Sequence, residues 1–229
     1  MSAARGSGGP SPGPPLPSSR GSRPDLSFLL DLPARDPLRY LEAFLPRLAG
    51  AWRTLDMVQV RAKGVPAGTF AEAVRRVRRA LAEGTLLVAN DRLDVALAGG
   101  ADGVHVGADD LPPEAVRSTN LPAGFLVGLT CHKAEELRAA PERGANYVGV
   151  GAFFASSTKD VTSNAREALL DLSDEYPLPV YGIGGITSER LTEVMGSFRL
   201  SGVVVSSAIQ RADNPADAAR ELREALDGL

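Results

Sequence analysis

Cysteine is almost absent from this chain: Cys131 is the sole one among 229 residues, which excludes an internal disulfide and a metal cage built from cysteine. Such usage fits a reducing, cytoplasmic setting. Histidine is nearly as scarce, with only His105 and His132, so a metal centre resting on imidazoles is not expected. No apolar run approaches the roughly 20 residues that a membrane-spanning helix needs, and no membrane partner is expected. Positive charge is not in excess either. The formal net charge is −3, which gives no electrostatic reason to expect nucleic acid. What remains, 44% hydrophobic and 23% charged residues, is ordinary for a globular protein.

Residues 1–24 hold three arginines, no acid, and 17 residues that are Pro, Gly or Ser. A segment so poor in apolar surface predicts a disordered tail, and its proline density argues against the amphipathic helix of a transit peptide. Residues 25–229 are expected to form one domain, with 22 basic and 28 acidic side chains and a net charge of −6.

From residue 26 onward, short apolar runs alternate with helical patterns. The runs predict strands at 26–31, 57–61, 86–89, 103–106, 125–130, 145–151, 179–185 and 201–207. Helical spacing predicts helices at 37–48, 69–83, 91–98, 133–140, 165–173, 188–195 and 216–226, the first capped by Asp36 with Pro37 at its opening position. Eight strands and close to eight helices in one α/β chain predict a closed (β/α)8 barrel, a TIM barrel, with an open doubly wound sheet as the alternative. Functional residues should then gather at the carboxyl ends of the strands.

Two neighbouring parallel strands in LLVANDRLDVALAGGADGVHVGADD, at 86–110, end in polar clusters: Asn90 and Asp91 after one, Asp109 and Asp110 after the other. Parallel pairing brings these ends together. Converging carboxylates suit a hard cation that brings phosphates and waters; capping of the following helices is the competing explanation. Gln59, Arg61 and Lys63 alternate with Val60 and Ala62, which sets three polar side chains on one strand face. An anion such as phosphate would compensate Arg61 and Lys63 there; otherwise Lys63 lies in the loop and Arg61 pairs with Asp31 or Asp91. The loop GAFFASSTK at 151–159 carries Ser156, Ser157, Thr158 and Lys159, and Gly182, Gly184, Gly185, Ser206 and Ser207 end the last two strands. Glycines and small residues at these last two ends match the phosphate site of such barrels. His105 is expected to be a hydrogen-bonded barrel residue and Cys131 a small buried one.

In order, the segments VQVRAK, VANDRLDVALAGGADGVHVGADDLP, GLTCH, YVGVGAFFASSTK, YGIGGI and VVSSAI resemble the thiamine phosphate synthase family over about 57–209. The resemblance implies a TIM barrel that couples hydroxymethylpyrimidine diphosphate with a thiazole phosphate and releases pyrophosphate, using Mg²⁺. It implies that Gln59, Arg61, Lys63, Asn90, Thr130 and Lys159 meet the pyrimidine diphosphate, with Arg61, Lys63 and Lys159 assisting departure of pyrophosphate. Asp91 and Asp110 would hold Mg²⁺. Ser156, Ser157 and Thr158 would meet the thiazole phosphate or its carboxylate end, and Gly185, Ser206 and Ser207 would donate to the phosphate. Partners are thus small-molecule substrates, with assembly into a homo-oligomer left open. Ala62, Ala108, Thr130, Ala152 and Ser156 depart from the family pattern. Two alternatives stand beside this one: a thiazole tautomerase-like enzyme using His132 as acid or base, and a non-catalytic barrel that binds a thiamine precursor.

Overall fold

The computed structural model describes residues 23–154, 165–170 and 176–229. The expected tail up to residue 22, the loop residues Ser156, Ser157, Thr158 and Lys159, and the end of the helix expected over 165–173 lie outside the described residues. Eight parallel strands close into a barrel in sequence order: β1 (Asp25–Asp31), β2 (Met57–Arg61), β3 (Leu86–Asn90), β4 (Gly103–Val106), β5 (Leu126–Cys131), β6 (Tyr147–Val150), β7 (Val180–Ile183) and β8 (Gly202–Val205), with β8 pairing back onto β1. The expected barrel is therefore the observed one. Nine α-helices occur among the described residues: α1 (Pro37–Phe44), α2 (Ala67–Ala80), α3 (Leu93–Gly99), α4 (Pro113–Arg117), α5 (Ala134–Ala139), α6 (Ala165–Leu170), α7 (Leu191–Ser197), α8 (Ser207–Gln210) and α9 (Pro215–Asp227).

Differences from the sequence expectation have local causes. The first helix gives way at Leu45–Leu48 to a 3-10 turn containing Pro46, a residue with no N–H to continue an α-helical ladder. Asp36 stands at the start of α1 but makes no side-chain cap; it adopts a left-handed conformation with φ 52°, and its carbonyl accepts from Tyr40 N–H at 3.0 Å. Helices α4 and α8 were not expected, because five and four residues are too few to display a helical period.

Strand alternation sorts the core into two layers. Leu26, Phe28, Leu30, Val58, Val60, Leu87, Ala89, Val104 and Val127 face outward onto the helices. Met57, Leu86, Val88, Leu126, Tyr147, Tyr181 and Val204 fill the barrel interior. Gly128 leaves room for this filling: a Cβ there would lie 2.3 Å from the Tyr147 ring and 2.4 Å from His105 Nδ1.

The amino-terminal floor is stapled four times by one device. The residue before each even-numbered strand accepts a backbone N–H from the preceding strand: Leu26 to Asp56 at 2.8 Å, Leu87 to Asp102 at 2.7 Å, Val127 to Asn146 at 2.8 Å and Val180 to Ser201 at 3.2 Å. Three of the four acceptors also take an arginine. Arg23 and Arg223 reach Asp56, Arg78 reaches Asp102, and Arg117 reaches Asn146. Arg23, which the sequence groups with the tail, thus anchors the start of the barrel. Below the interior layer the Tyr181 hydroxyl donates to Asp25 at 2.6 Å.

Candidate active site

The carboxyl ends of β2, β3 and β4 form the charged side of the opposite end, the mouth. Asn90 and His105 are register partners, and both Asp91 N–H, at 2.8 Å, and Asn90 Nδ2, at 3.3 Å, donate to the His105 carbonyl. These bonds tie the β3 turn to β4. Asp91 occupies the left-handed region with φ 66°, a conformation Asp and Asn tolerate better than most residues. Neither acidic pair caps a helix: the cap positions of α3 and α4 are Arg92 and Pro112, and no side chain bonds either helix start. The competing explanation for Asp91 and Asp110 thereby falls away.

Asp110 turns back to accept Gly107 N–H at 2.7 Å, which aims its carboxyl toward β3. Burial raises the Asp91 pKa above the ordinary carboxylate value, and a hydrogen bond to the Asp110 carboxyl adds to the shift, with Lys63 and Arg61 opposing. Two neighbouring carboxylates disfavour each other's charge. A divalent cation would offset that repulsion. Among the described residues no group of three or more His, Cys, Asp or Glu side chains could enclose a metal unaided, so a cation here would complete its shell with substrate oxygens and waters. Asp109 is exposed and does not join the pair.

Gln59 is buried on the inner face of β2 at 6% exposure. Next on that face, Arg61 pairs with Asp31: Nη1 donates to both carboxylate oxygens, at 2.8 and 2.7 Å. Lys63 lies past the strand, 66% exposed, with Nζ 3.7 Å from Asp91 Oδ2. The arrangement of a loop lysine and an Asp31-bound arginine is thus the observed one. Both cations still border the acidic pair.

β7 and β8 build the other side with backbone. Gly184 and Gly185 follow β7 with φ of 103° and 66°, and a Cβ on Gly184 would sit 2.7 Å from Ala152, so only glycine fits this turn. Ile183 and Val204 are register partners, which brings these glycines beside Ser206 and Ser207 at the start of α8. Helix-start amides beside a glycine turn suit an anion. Arg190, which the sequence did not single out, donates to the Gly185 carbonyl at 2.7 Å and lies over the Phe154 ring at 4.5 Å.

Thr130, on β5, receives the His105 ring: Nε2 lies 2.8 Å from Thr130 Oγ1 and Nδ1 3.2 Å from the Tyr147 hydroxyl. Full burial holds the His105 pKa at about 4, so the imidazole is neutral at physiological pH, as expected of a barrel residue. Burial pushes the Cys131 thiol up to about 12, which removes it as a nucleophile. His132 is exposed at the mouth, its Nδ1 3.4 Å from the Gly151 carbonyl. No helix among the described residues is long and apolar enough to cross a membrane.

Fold and mouth together define a class: a (β/α)8 barrel with an acidic pair on one side of its mouth and a turn of glycines and serines on the other. A family model described as thiamine monophosphate synthase matches residues 34–209. The chain is 40% identical over 178 residues to the thiamine-phosphate synthase of Haloquadratum walsbyi, covering 76% of this chain and 79% of that protein. It is 45% identical over 167 residues to the thiamine-phosphate synthase of Anaeromyxobacter dehalogenans, covering 71% and 74%. Among solved structures, the thiamine phosphate pyrophosphorylase from Pyrococcus furiosus superposes with a TM-score of 0.73 at 27% identity, over 89% of this chain and 96% of that one. The chain belongs to the thiamine monophosphate synthase family of transferases.

Proposed function

We propose that this chain joins hydroxymethylpyrimidine diphosphate to a thiazole phosphate, forming a carbon–nitrogen bond and releasing pyrophosphate. The observation that supports the proposal is a cluster of charged side chains set across one mouth from a turn of glycines and serines. One side gathers Arg61, Lys63, Asp91 and Asp110; the other gathers Gly184, Gly185, Ser206 and Ser207. A single-phosphate reaction leaves the charged side without a purpose. A tautomerase would have no diphosphate for it to hold.

In the proposed reaction the bond between the pyrimidine methylene carbon and the diphosphate oxygen breaks first, its electron pair leaving with pyrophosphate. The thiazole nitrogen then gives its lone pair to the methylene cation. Arg61 and Lys63, with Lys159 from the loop, offset the charge that grows on the leaving oxygens. Asp91 and Asp110 would hold Mg²⁺, which when bound supplies further positive charge to the diphosphate. Gln59, Asn90 and Thr130 orient the pyrimidine end, and the neutral His105 fixes the Thr130 hydroxyl. Ser156, Ser157 and Thr158 meet the thiazole phosphate, while Gly185, Ser206 and Ser207 donate to its phosphoryl oxygens, holding the nucleophile within attack distance.

The test is an assay of the purified chain with both substrates, following thiamine phosphate and pyrophosphate together, with Mg²⁺ and after chelation. Equal formation of both products that stops on chelation is the expected result. Product without metal would remove the assignment of Asp91 and Asp110. Absence of both products would reject the proposed reaction.

A further inference from the structure

One hydrogen-bonded chain at the mouth has no role in the chemistry above. Gln210 closes α8, and its backbone N–H donates to the Ser206 carbonyl at 2.9 Å. Its side chain grips the backbone of Asp31 at both polar atoms: Oε1 accepts from Asp31 N–H at 3.0 Å, and Nε2 donates to the Asp31 carbonyl at 2.6 Å. Nε2 also donates to the Tyr40 hydroxyl at 2.8 Å. β8 pairs with β1 no further than Phe28, so the amide supplies Asp31 with the bonds that a longer neighbouring strand would have given. Asp31 in turn holds Arg61 through Nη1 alone, and among the described residues no other group hydrogen-bonds that guanidinium. The Arg61 side chain keeps 28% of its surface exposed.

We infer that Gln210 is a positioning residue: it holds Asp31 in register, and Asp31 aims the Arg61 guanidinium at the diphosphate. The inference rests on the two anion sites proposed above. Without the clamp, Asp31 keeps its register with β2, where Leu32 N–H donates to the Arg61 carbonyl at 2.7 Å, but loses its bonds on the β8 side, and a small displacement of its carboxylate passes directly to the guanidinium that it holds. Because the turn of helix that places Gln210 also presents Ser206 and Ser207, occupancy of the thiazole-phosphate site steadies the arginine on the other side. By linkage each anion then tightens the other.

The test titrates the full chain, in Mg²⁺ buffer, with pyrophosphate alone and with thiazole phosphate present, for the unaltered chain, Gln210→Met and Tyr40→Phe. Neither substitution changes the charge, so any effect is geometric. The unaltered chain is expected to bind pyrophosphate about fivefold more tightly when thiazole phosphate is bound. Loss of the Gln210 clamp should weaken pyrophosphate about tenfold and abolish the coupling, while thiazole phosphate binding alone changes by less than about twofold. Tyr40→Phe keeps the ring stacked on Phe44 and should act in the same direction by about twofold.

Unchanged pyrophosphate binding in Gln210→Met would overturn the inference. So would an equal loss of thiazole phosphate binding, which a merely structural part in α8 would produce. Should circular dichroism show Gln210→Met unfolded, Tyr40→Phe decides by the same criteria. If the unaltered chain binds neither anion, the proposed function itself fails, and the positioning inference falls with it.

Discussion

At the floor of the barrel Asp102 accepts from an arginine at 2.6 Å and from a strand amide at 2.7 Å, whereas at the mouth burial and the neighbouring Asp110 carboxyl raise the pKa of Asp91. The same side chain therefore does opposite work at the two ends. Floor acids and amides have their partners within the protein, and they join strand to strand and barrel to helix. Asp91 and Asp110 oppose each other's charge, beside an arginine that among the described residues hydrogen-bonds only Asp31 and a lysine left in solvent. What the mouth lacks is what a charged ligand would supply, so the proposed site lies where the fold leaves its electrostatics incomplete.

The largest expected effect separates the ends most sharply. Asp91→Asn, which suits the left-handed backbone, should lower kcat/KM by about 10²- to 10³-fold while circular dichroism stays unchanged. Retained turnover would erase the distinction at its centre.

His105 lies between the two ends and marks their boundary through pH. Its pKa falls from 6.5 to about 4 on burial, so between those values unfolded chains take up a proton that folded chains refuse. Stability from this group is full above about pH 6.5 and is lost as pH falls toward 4, by on the order of 3 kcal/mol. Urea unfolding across that range should show the slope, and His105→Gln should flatten it. A slope that survives the substitution would place the titrating group elsewhere.

A floor substitution should do the reverse of Asp91→Asn. Asn146→Ala strands the Val127 amide and one end of Arg117, and should cost about 2 kcal/mol in urea unfolding with kcat and KM within about twofold. A large kinetic effect would mean that the ends are not independent.

The smallest effect is a gain. The folded state holds the Asp91 proton more tightly than the unfolded state does, so ionising it opposes folding above its raised pKa. Asp91→Asn should therefore raise stability at neutral pH, seen as a small upward shift of Tm in thermal unfolding. Destabilisation instead would show the acidic pair to be a structural staple like those of the floor.

Much of this was legible in the sequence, for identifiable reasons. Runs such as LLVA and FLVGL are apolar or glycine at every position, as a strand covered on both faces requires, and so each strand end was predicted to within two residues. Asp91 and Asp110 could be paired because parallel order fixes which ends are neighbours. Lys63 shows the limit: alternation placed it on the inner face, but β2 stops at Arg61 and the lysine turns into solvent. Gln210 gave no signal, since its partner Asp31 lies 179 positions away.

The sequence by itself determined the order of elements, the closed barrel and the family, because periodicity and strand-end chemistry are local properties repeated eight times. Only the tertiary structure decided that Asp91 faces Asp110 rather than capping α3, that Asp31 holds Arg61, and that four polar residues staple the floor. Those outcomes depend on register and strand length, which are set when all eight strands close on one another and no single segment can encode them.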